Sequence, residues 1–243
     1  MEHSHNEFGQ PVGHAVDVDL PIPVPTHVEM IGSWCRLVPL SAMHAEGLFN
    51  AFSEAPDDRE WTYLPYGPYA SSAEFREWVG AKEASTDPLF YAVVDVQGAC
   101  GVVSYLRIAP MSASLEVGNI HLAPRLAQTA AATEAMYLMM QRAFDSGYRR
   151  YEWKCDALNA PSRAAAMRLG FSPEGVWEQA TIYKGRNRDT AWFSLLDRDW
   201  PAIRTEFERW LDPANFDDAG RQMTPLANRG VSQRRGWRPA RCE

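Results

Sequence analysis

The sequence predicts an α/β fold, a single domain with a mixed, mostly antiparallel central sheet flanked by helices. Segments with the period-two alternation of strands interleave with segments that have helical spacing. They follow the order β-α-α-β-β-β-α-β-α-β-β-α, in which hairpins and single crossings replace a strict βαβ repeat. The 243 residues, 46% hydrophobic and 23% charged, are sufficient for one sizeable core.

The two ends of the chain differ in composition from its centre. We expect an extended N-terminal arm over residues 1–30, a folded domain over 31–212 and an irregular C-terminal tail over 213–243. In the arm, Pro21 to Pro25 alternates proline with aliphatic residues, which suits an extended chain. The histidines of the arm have no accompanying cysteine or carboxylate framework, so the sequence predicts no metal site.

The first part of the domain contains two predicted helices. A strand over 34–40 precedes a helix that Ser41 caps and that ends near Phe52. A second helix begins at Ser71 or Ser72. Between them lies a loop with four aromatic residues, which could line a substrate pocket or cover the edge of the sheet: Trp61, Tyr63, Tyr66 and Tyr69.

The centre of the chain carries the clearest helix. Strands over 90–96 and 101–108 form a hairpin, and a strand over 114–122 follows. Small residues and methionines then recur at helical spacing up to Phe144, which predicts a helix that ends at Gly147. We expect the methionines to fill the core.

The last part of the domain returns to strands. A strand over 151–155 leads to a short helix opened by Asn159 and Pro161 and closed by Gly170. A hairpin over 174–183 and 188–196 surrounds the turn 184–187. A final helix extends from Trp200 to Leu211.

Charge and cysteine content exclude several classes of protein. There are 31 acidic and 24 basic residues, and the net charge of −7 disfavours a nucleic-acid partner. No apolar run approaches the roughly 18 residues of a membrane helix. The N-terminus lacks the pattern of a secretory signal. The four cysteines are widely scattered, which predicts a reduced, cytoplasmic protein without disulfides.

Residues 128–133 occupy the start of the central helix, directly after a strand. Such a helix N-terminus presents free backbone N–H groups and a partial positive charge, which suits a pyrophosphate. Small residues at 130–132 would let a ligand approach the backbone, and Arg125 could add a charge. On pattern alone, an ordinary tight βα turn remains the alternative.

Several linked motifs resemble the GCN5-related N-acetyltransferases (GNAT). Arg125 and Ala130 fit the family's pyrophosphate-binding motif, whereas Gln128 stands where the family usually has glycine. Glu116 precedes the motif, and Asn159-x-x-Ser162 with Gly170-Phe171 follows it in family order. This arrangement is similar to the RimJ/RimL-type branch, the ribosomal-protein acetyltransferases, and covers roughly residues 34 to 200.

The resemblance implies that acetyl-CoA is the co-substrate and that no metal takes part. It implies two groups of cofactor-binding residues, those around the helix start and those of the later loop. The first group is Ile120, His121, Leu122, Arg125, Gln128, Thr129, Ala130, Ala131, Ala132 and Thr133, and the second is Asn159 and Ser162. The oxyanion donor would be a backbone N–H near Ile120 or His121.

The resemblance also implies catalytic roles. Glu116 would be the general base, and Ser162 would protonate the leaving thiolate. Two positions often used for catalysis in this family carry Ala166 and Thr181, so Glu178 or a bound water are alternatives for the base. The plainer alternatives are that Glu116 only braces the sheet and that Ser162 only caps its helix.

We therefore expect an N-acetyltransferase that acts on a primary amine, either a protein N-terminus or a small amine or amino acid. Its acceptor wall would come from the aromatic loop and the last hairpin, with Trp61, Tyr63, Tyr66, Glu178 and Tyr183. The alternatives are an antibiotic- or toxin-modifying acetyltransferase and a catalytically silent acyl-CoA-binding module. The protein would be a monomer or a homodimer, without nucleic-acid or membrane partners.

Overall fold

A computed structural model describes residues 4–228, and an eight-stranded mixed sheet forms its centre. The strands are β1 (Ser4–His5), β2 (Pro11–Val12), β3 (Met30–Ile31), β4 (Arg36–Pro39), β5 (Leu89–Asp95), β6 (Gly98–Ala109), β7 (Ser114–Leu122), β8 (Arg150–Asp156), β9 (Ser172–Tyr183) and β10 (Arg186–Leu196). The α-helices are α1 (Ala45–Phe52), α2 (Ser72–Glu83), α3 (Ala130–Asp145), α4 (Ala160–Arg168) and α5 (Trp200–Leu211).

The strand order in the sheet is β3-β4-β5-β6-β7-β8-β10-β9. Every neighbouring pair is antiparallel except β7 and β8, which are parallel. From β4 onward, strands and helices follow one another as the sequence predicts, so the fold class and the element order are confirmed. The strands β1 and β2 form a separate short pair in the arm.

Local signals fix the ends of the central helix. The hydroxyl of Thr129 accepts from the backbone N–H of Ala132 at the N-terminus of α3. Gly147, just past the other end, has a φ of 93°, which glycine adopts without a Cβ penalty. The methionines Met136, Met139 and Met140 are buried, as expected for core filling.

Helices cover both faces of the sheet. On one face, the Tyr105 hydroxyl of β6 donates to the carbonyl oxygen of Met139 in α3, and Tyr137 of α3 stacks on Trp200 of α5. On the other face, Phe52 of α1 packs against Phe75 of α2. The helices α1 and α2 lie mainly over the first half of the sheet, so the face of β8 and β10 on that side borders the cleft described below.

Both flanking segments contact the domain. Ile22 in the arm is buried, and the Arg142 guanidinium donates to the carbonyl oxygens of Thr26 and Val28. After α5, Asn215 is buried and donates to the carbonyl oxygen of Trp210. The basic last residues of the predicted tail lie outside the described residues.

One carboxylate of α3 holds the first residues of the domain in place. Glu134 accepts hydrogen bonds from the backbone N–H groups of Ser33, Trp34 and Cys35, at 2.6 to 2.8 Å. A Cβ at Gly32 would lie 2.2 Å from a carboxylate oxygen of Glu134. A side chain at Gly32 would therefore displace the Glu134 carboxylate from these hydrogen bonds, which hold the first strands beside the helix that begins at the candidate site.

Candidate active site

The two parallel strands at the centre of the sheet part from each other. They pair only between Ser114–Val117 and Arg150–Trp153. Beyond that point β7 continues to Leu122 and β8 to Asp156, each paired with its other neighbour. The backbone groups that face each other across the gap are thus without strand partners, and such groups need a ligand or water. A cleft of about 450 Å³ borders this gap.

The gap begins at a bulge in β7. Asn119 has a φ of 51°, and the register between β6 and β7 shifts between Val102 and Ser104, which reverses the alternation of side chains. His121 consequently faces α1, whereas Val117 shares the opposite face with Tyr105. The Asn119 side chain donates to the hydroxyl of Ser104 at 2.8 Å, which holds the bulge in place.

Glu116 lies on the wall of the cleft inside a network of charges. One of its carboxylate oxygens is 2.8 Å from Lys154 Nζ and 3.1 Å from Arg107 Nε. The Lys154 side chain is only 4% exposed, and its Nζ is also 2.7 Å from Glu152 and 3.6 Å above the ring of Trp192. Burial raises the pKa of Glu116, and the nearby Lys154 opposes that shift. Glu116 is therefore placed both to accept a proton and to be held by cations.

Ser162 lies across the gap, at the first turn of α4. Its hydroxyl accepts from Trp153 Nε1 at 3.0 Å, and its backbone N–H donates to the side chain of Asn159 at 3.1 Å. Asn159 is thus the N-cap of α4 and leaves the Ser162 hydroxyl on the cleft wall. The structure brings Glu116, Ser162, Asn159 and Ile120 to one cleft.

The N-terminus of α3 has the predicted form of an anion site. Thr129 caps it, and Ala130, Ala131 and Ala132 form the first turn. Gln128 has a φ of 64°, the left-handed conformation that favours glycine. The position where the sequence departs from the family motif therefore keeps the backbone conformation that a glycine would adopt. A glutamine in place of glycine adds a side chain and conformational strain at this position, while the backbone keeps a positive φ.

Arg125 differs from the expectation. Its guanidinium pairs with the Asp95 carboxylate and lies 3.4 Å from the carbonyl oxygen of Gly98. These contacts direct it to the turn between β5 and β6, and the Asp95 hydrogen bond raises the pKa of the arginine. Arg125 therefore braces that turn and is not an unpaired cation for a pyrophosphate.

His121 is also part of the packing. Its ring stacks on Phe52 at 3.9 Å and contacts Trp61 edge-on at 4.0 Å. Burial lowers the pKa of His121 to about 3, so the ring is neutral at physiological pH. The side chain of His121 is therefore occupied by packing, and a contact of this residue with the cofactor stays a prediction for its backbone N–H.

Most residues that were predicted to form the acceptor wall do not line the cleft. Trp61 is buried against His121 and Tyr69, and Tyr66 packs on Trp78. Glu178 is exposed on the edge strand β9 and does not line the cleft.

Two residues of the predicted wall do line the cleft, Tyr63 and Tyr183. The aromatic loop thus covers the sheet and contributes one tyrosine to the site. Tyr183 is held there by its hydroxyl, which donates to Asp156 at 2.8 Å.

Several residues of the cleft were not found from the sequence: Glu60, Arg107, Lys154, Trp177, Arg188 and Trp192. Lys154 had a signal, because it alternates with the buried Trp153 and Cys155 within a strand. Glu60 lies in the short 3-10 helix Asp58–Trp61, and no sequence pattern indicated its place in the cleft. Its carboxylate is 3.8 Å from His121 Nε2, its side chain is 32% exposed, and burial raises its pKa.

The residues present suit acetyl-CoA. The parted strands offer unpaired backbone groups for an extended amide chain, and the α3 N-terminus offers N–H groups for a pyrophosphate. Within residues 4–228, no cluster of histidine, cysteine or carboxylate side chains could hold a metal ion. No helix in the same range has the length and apolarity to cross a membrane. The cysteines Cys35, Cys100 and Cys155 are buried free thiols.

Comparison with known proteins agrees with this geometry. The model of the acetyltransferase (GNAT) domain matches residues 35–172. A GCN5-related N-acetyltransferase from Brucella melitensis is 45% identical, with a TM-score of 0.83, over 85% of this chain and 95% of that one. A GNAT-family protein from Chromobacterium violaceum is 36% identical, with a TM-score of 0.72, over 79% of this chain and 99% of that one.

More distant structures share the fold alone. RimL, a ribosomal L7/L12 alpha-N-protein acetyltransferase, is 21% identical with a TM-score of 0.59, and the match covers 72% of this chain and 93% of that one. No curated protein matches the sequence. The domain match covers more than half of the chain. The matched residues include the two parted strands and the capped helix α3. The chain belongs to the GNAT acetyltransferase family.

Proposed function

We propose that this protein is an N-acetyltransferase that moves an acetyl group from acetyl-CoA to a primary amine by direct attack. The acceptor is a protein N-terminus or a small amine or amino acid, as in the RimJ/RimL-type branch. The observation that carries the proposal is the parting of β7 from β8 beyond Val117 and Trp153. It opens unpaired backbone groups to a cleft whose lining includes the Glu116 carboxylate and the Ser162 hydroxyl.

The chain's own residues divide the binding of the co-substrate between two places. The backbone N–H groups at 128–133 bind the pyrophosphate, and the side chain of Asn159 orients the loop beside the pantetheine arm. The co-substrate supplies an activated acetyl thioester. A backbone N–H of β7 near Ile120 or His121 stabilises the oxyanion.

Proton transfer uses the side chains of the cleft. Glu116 takes a proton from the acceptor ammonium, directly or through water, and Glu60 is a second carboxylate in the same cleft. The Ser162 hydroxyl accepts from Trp153, so its own hydrogen can be donated to the leaving thiolate. Tyr63 and Tyr183 contact the acceptor. The protein acts in the cytoplasm as a monomer or homodimer.

The test is acetyl-CoA-dependent release of free thiol across a panel of amines, with Ser162→Ala beside the wild type. We expect turnover of at least one amine and a loss of about tenfold or more in kcat for the variant, because the thiolate must leave unprotonated. Glu178→Gln, an exposed change outside the cleft, is the matched control. Tight CoA binding without turnover of any amine would instead identify a silent acyl-CoA-binding module.

A further inference from the structure

Arg188 is the exception among the cations of the cleft. Arg107 and Lys154 are both paired with Glu116. Arg188 lines the same cleft, yet no carboxylate within residues 4–228 lies within salt-bridge distance of its guanidinium. Its Nε is buried and has no hydrogen-bond partner. A buried polar group without a partner costs about 1–3 kcal/mol, and more when it is charged.

The neighbouring carboxylates are held by other groups. Asp156 accepts from the Tyr183 hydroxyl and from the backbone N–H of Leu158, both at 2.8 Å. Asp189 accepts from the backbone N–H of Gln179 at 2.8 Å and from the Asn187 side chain at 2.9 Å. Asp156 and Asp189 therefore accept hydrogen bonds from groups other than Arg188. The Arg188 guanidinium remains available to bind a ligand.

An aromatic ring lies beside the Arg188 guanidinium. Its Cζ lies 5.6 Å from the centre of the Tyr183 ring, and that ring is anchored by the hydrogen bond to Asp156. A guanidinium held by a ring keeps its planar set of N–H donors, which matches the planar oxygens of a carboxylate or the oxygens of a phosphate.

The rest of the cleft suits an acceptor that has an amine and an anionic group. Glu60 lines the cleft, and in residues 4–228 no lysine or arginine lies within salt-bridge distance of its carboxylate. The nearest basic side chain is His121 at 3.8 Å, and this ring is neutral. Trp177, 58% exposed, stacks on Trp192 at 4.1 Å and forms an aromatic surface on the cleft wall. A carboxylate for the ammonium, a guanidinium for the anion and a flat apolar surface therefore meet in one cleft.

We propose that Arg188 binds an anionic group, a carboxylate or phosphate, on the acceptor, so that the preferred acceptors are amines that carry negative charge. This inference rests on the proposed acetyl transfer and narrows its substrate class. It assigns Arg188 to specificity: the residue is not needed to activate the amine or to bind the co-substrate.

The experiment measures acetyl-CoA-dependent thiol release with matched pairs of amines. The pairs are phenylalanine with phenylalaninamide, tryptophan with tryptamine, and O-phosphoethanolamine with ethanolamine. We expect the anionic member of at least one pair to have a kcat/KM about tenfold to a hundredfold higher in the wild type, the range of one charge-assisted contact. In Arg188→Met this preference should disappear, while the neutral member and the affinity for CoA stay within about threefold.

Two further variants keep the result interpretable. Arg188→Lys retains the charge without the planar fork, so it should keep part of the preference. Arg186→Met removes an exposed arginine from the same strand and should change nothing. Thermal unfolding of each variant checks that it is folded.

Three outcomes would overturn the inference. Wild-type turnover that is indifferent to the charge of the acceptor rejects the anionic class and leaves the proposed function intact. A loss of CoA affinity in Arg188→Met, with the preference unchanged, assigns the residue to the co-substrate. Absence of turnover with every amine rejects the proposed function itself, and the acceptor site with it.

Discussion

Replacing Glu116 with glutamine separates its two possible roles. The change keeps the shape of the side chain and removes its charge. In the wild type, the carboxylate lies 2.8 Å from Lys154 Nζ and 3.1 Å from Arg107 Nε. The amide can still accept one hydrogen bond, but it cannot take up the proton of an ammonium. A base role and a bracing role thus predict different losses.

The structural cost of the change should be moderate. Breaking a buried ion pair costs about 3–5 kcal/mol when it strands a charge. Here Lys154 keeps Glu152 at 2.7 Å, and Arg107 is 66% exposed, so water replaces its partner. We therefore expect a loss of about 1–2 kcal/mol in the free energy of unfolding, which lowers the melting temperature by about 2–8 °C.

The kinetic cost should be larger if Glu116 is the base. General-base catalysis contributes about 10²–10⁴-fold, so kcat should fall by that factor. Because burial raises the pKa of Glu116, the wild-type kcat/KM should rise with pH through an acid limb. In Glu116→Gln this limb should disappear, and the affinity for CoA should stay within about threefold.

The assay is thiol release from acetyl-CoA with a turned-over amine, measured as a function of pH, alongside urea unfolding and CoA binding. Glu178→Gln is the control for a lost surface charge, and Glu60→Gln tests the other carboxylate of the cleft. If Glu116→Gln loses stability as expected but turns over within about threefold of the wild type at every pH, Glu116 only braces the sheet. A large loss in Glu60→Gln alone would then identify Glu60 as the base.

Much of the fold follows from the sequence because its local signals agree with one another. The period-two strands, the capping Thr129 and the terminal Gly147 each specify an element without reference to the rest of the chain. The bulge at Asn119 is the exception. An asparagine can adopt positive φ in many settings, and nothing local indicates that the alternation of β7 reverses there. His121 therefore faces α1, which alternation alone does not predict.

The site is less predictable because it depends on long-range contacts. Glu116 and Ser162 are predicted from their place in a linked series of motifs, and both line the cleft. The ion pair of Arg125 could not be predicted, since its partner Asp95 comes from a different hairpin. Likewise, Arg188 lacks a carboxylate partner because Asp156 accepts a hydrogen bond from Tyr183. This contact joins two strands and has no local sequence signal. Residue type predicts which chemistry is possible, and the tertiary contacts decide which groups remain available for a ligand.

Three further changes test the remaining features of the site. Ala130→Asp places a negative charge in the first turn of α3 and should weaken CoA binding about tenfold or more; unchanged affinity in a calorimetric titration would move the pyrophosphate site elsewhere. Gln128→Gly relieves a φ of 64° and should raise the free energy of unfolding by about 0.5–1 kcal/mol in urea with CoA affinity retained; a loss of stability would contradict the strain. His121→Phe tests the buried neutral ring. The pKa of His121 is about 3 in the fold against 6.5 in the unfolded chain, so below pH 6.5 the unfolded chain binds the additional proton and the wild type loses stability. The loss should be about 1.4 kcal/mol per pH unit, and the phenylalanine variant should lack this slope between about pH 6 and 4. Parallel stability curves of the two proteins over that range would show that the pKa of His121 is the same in the folded and unfolded chain, which contradicts the burial effect.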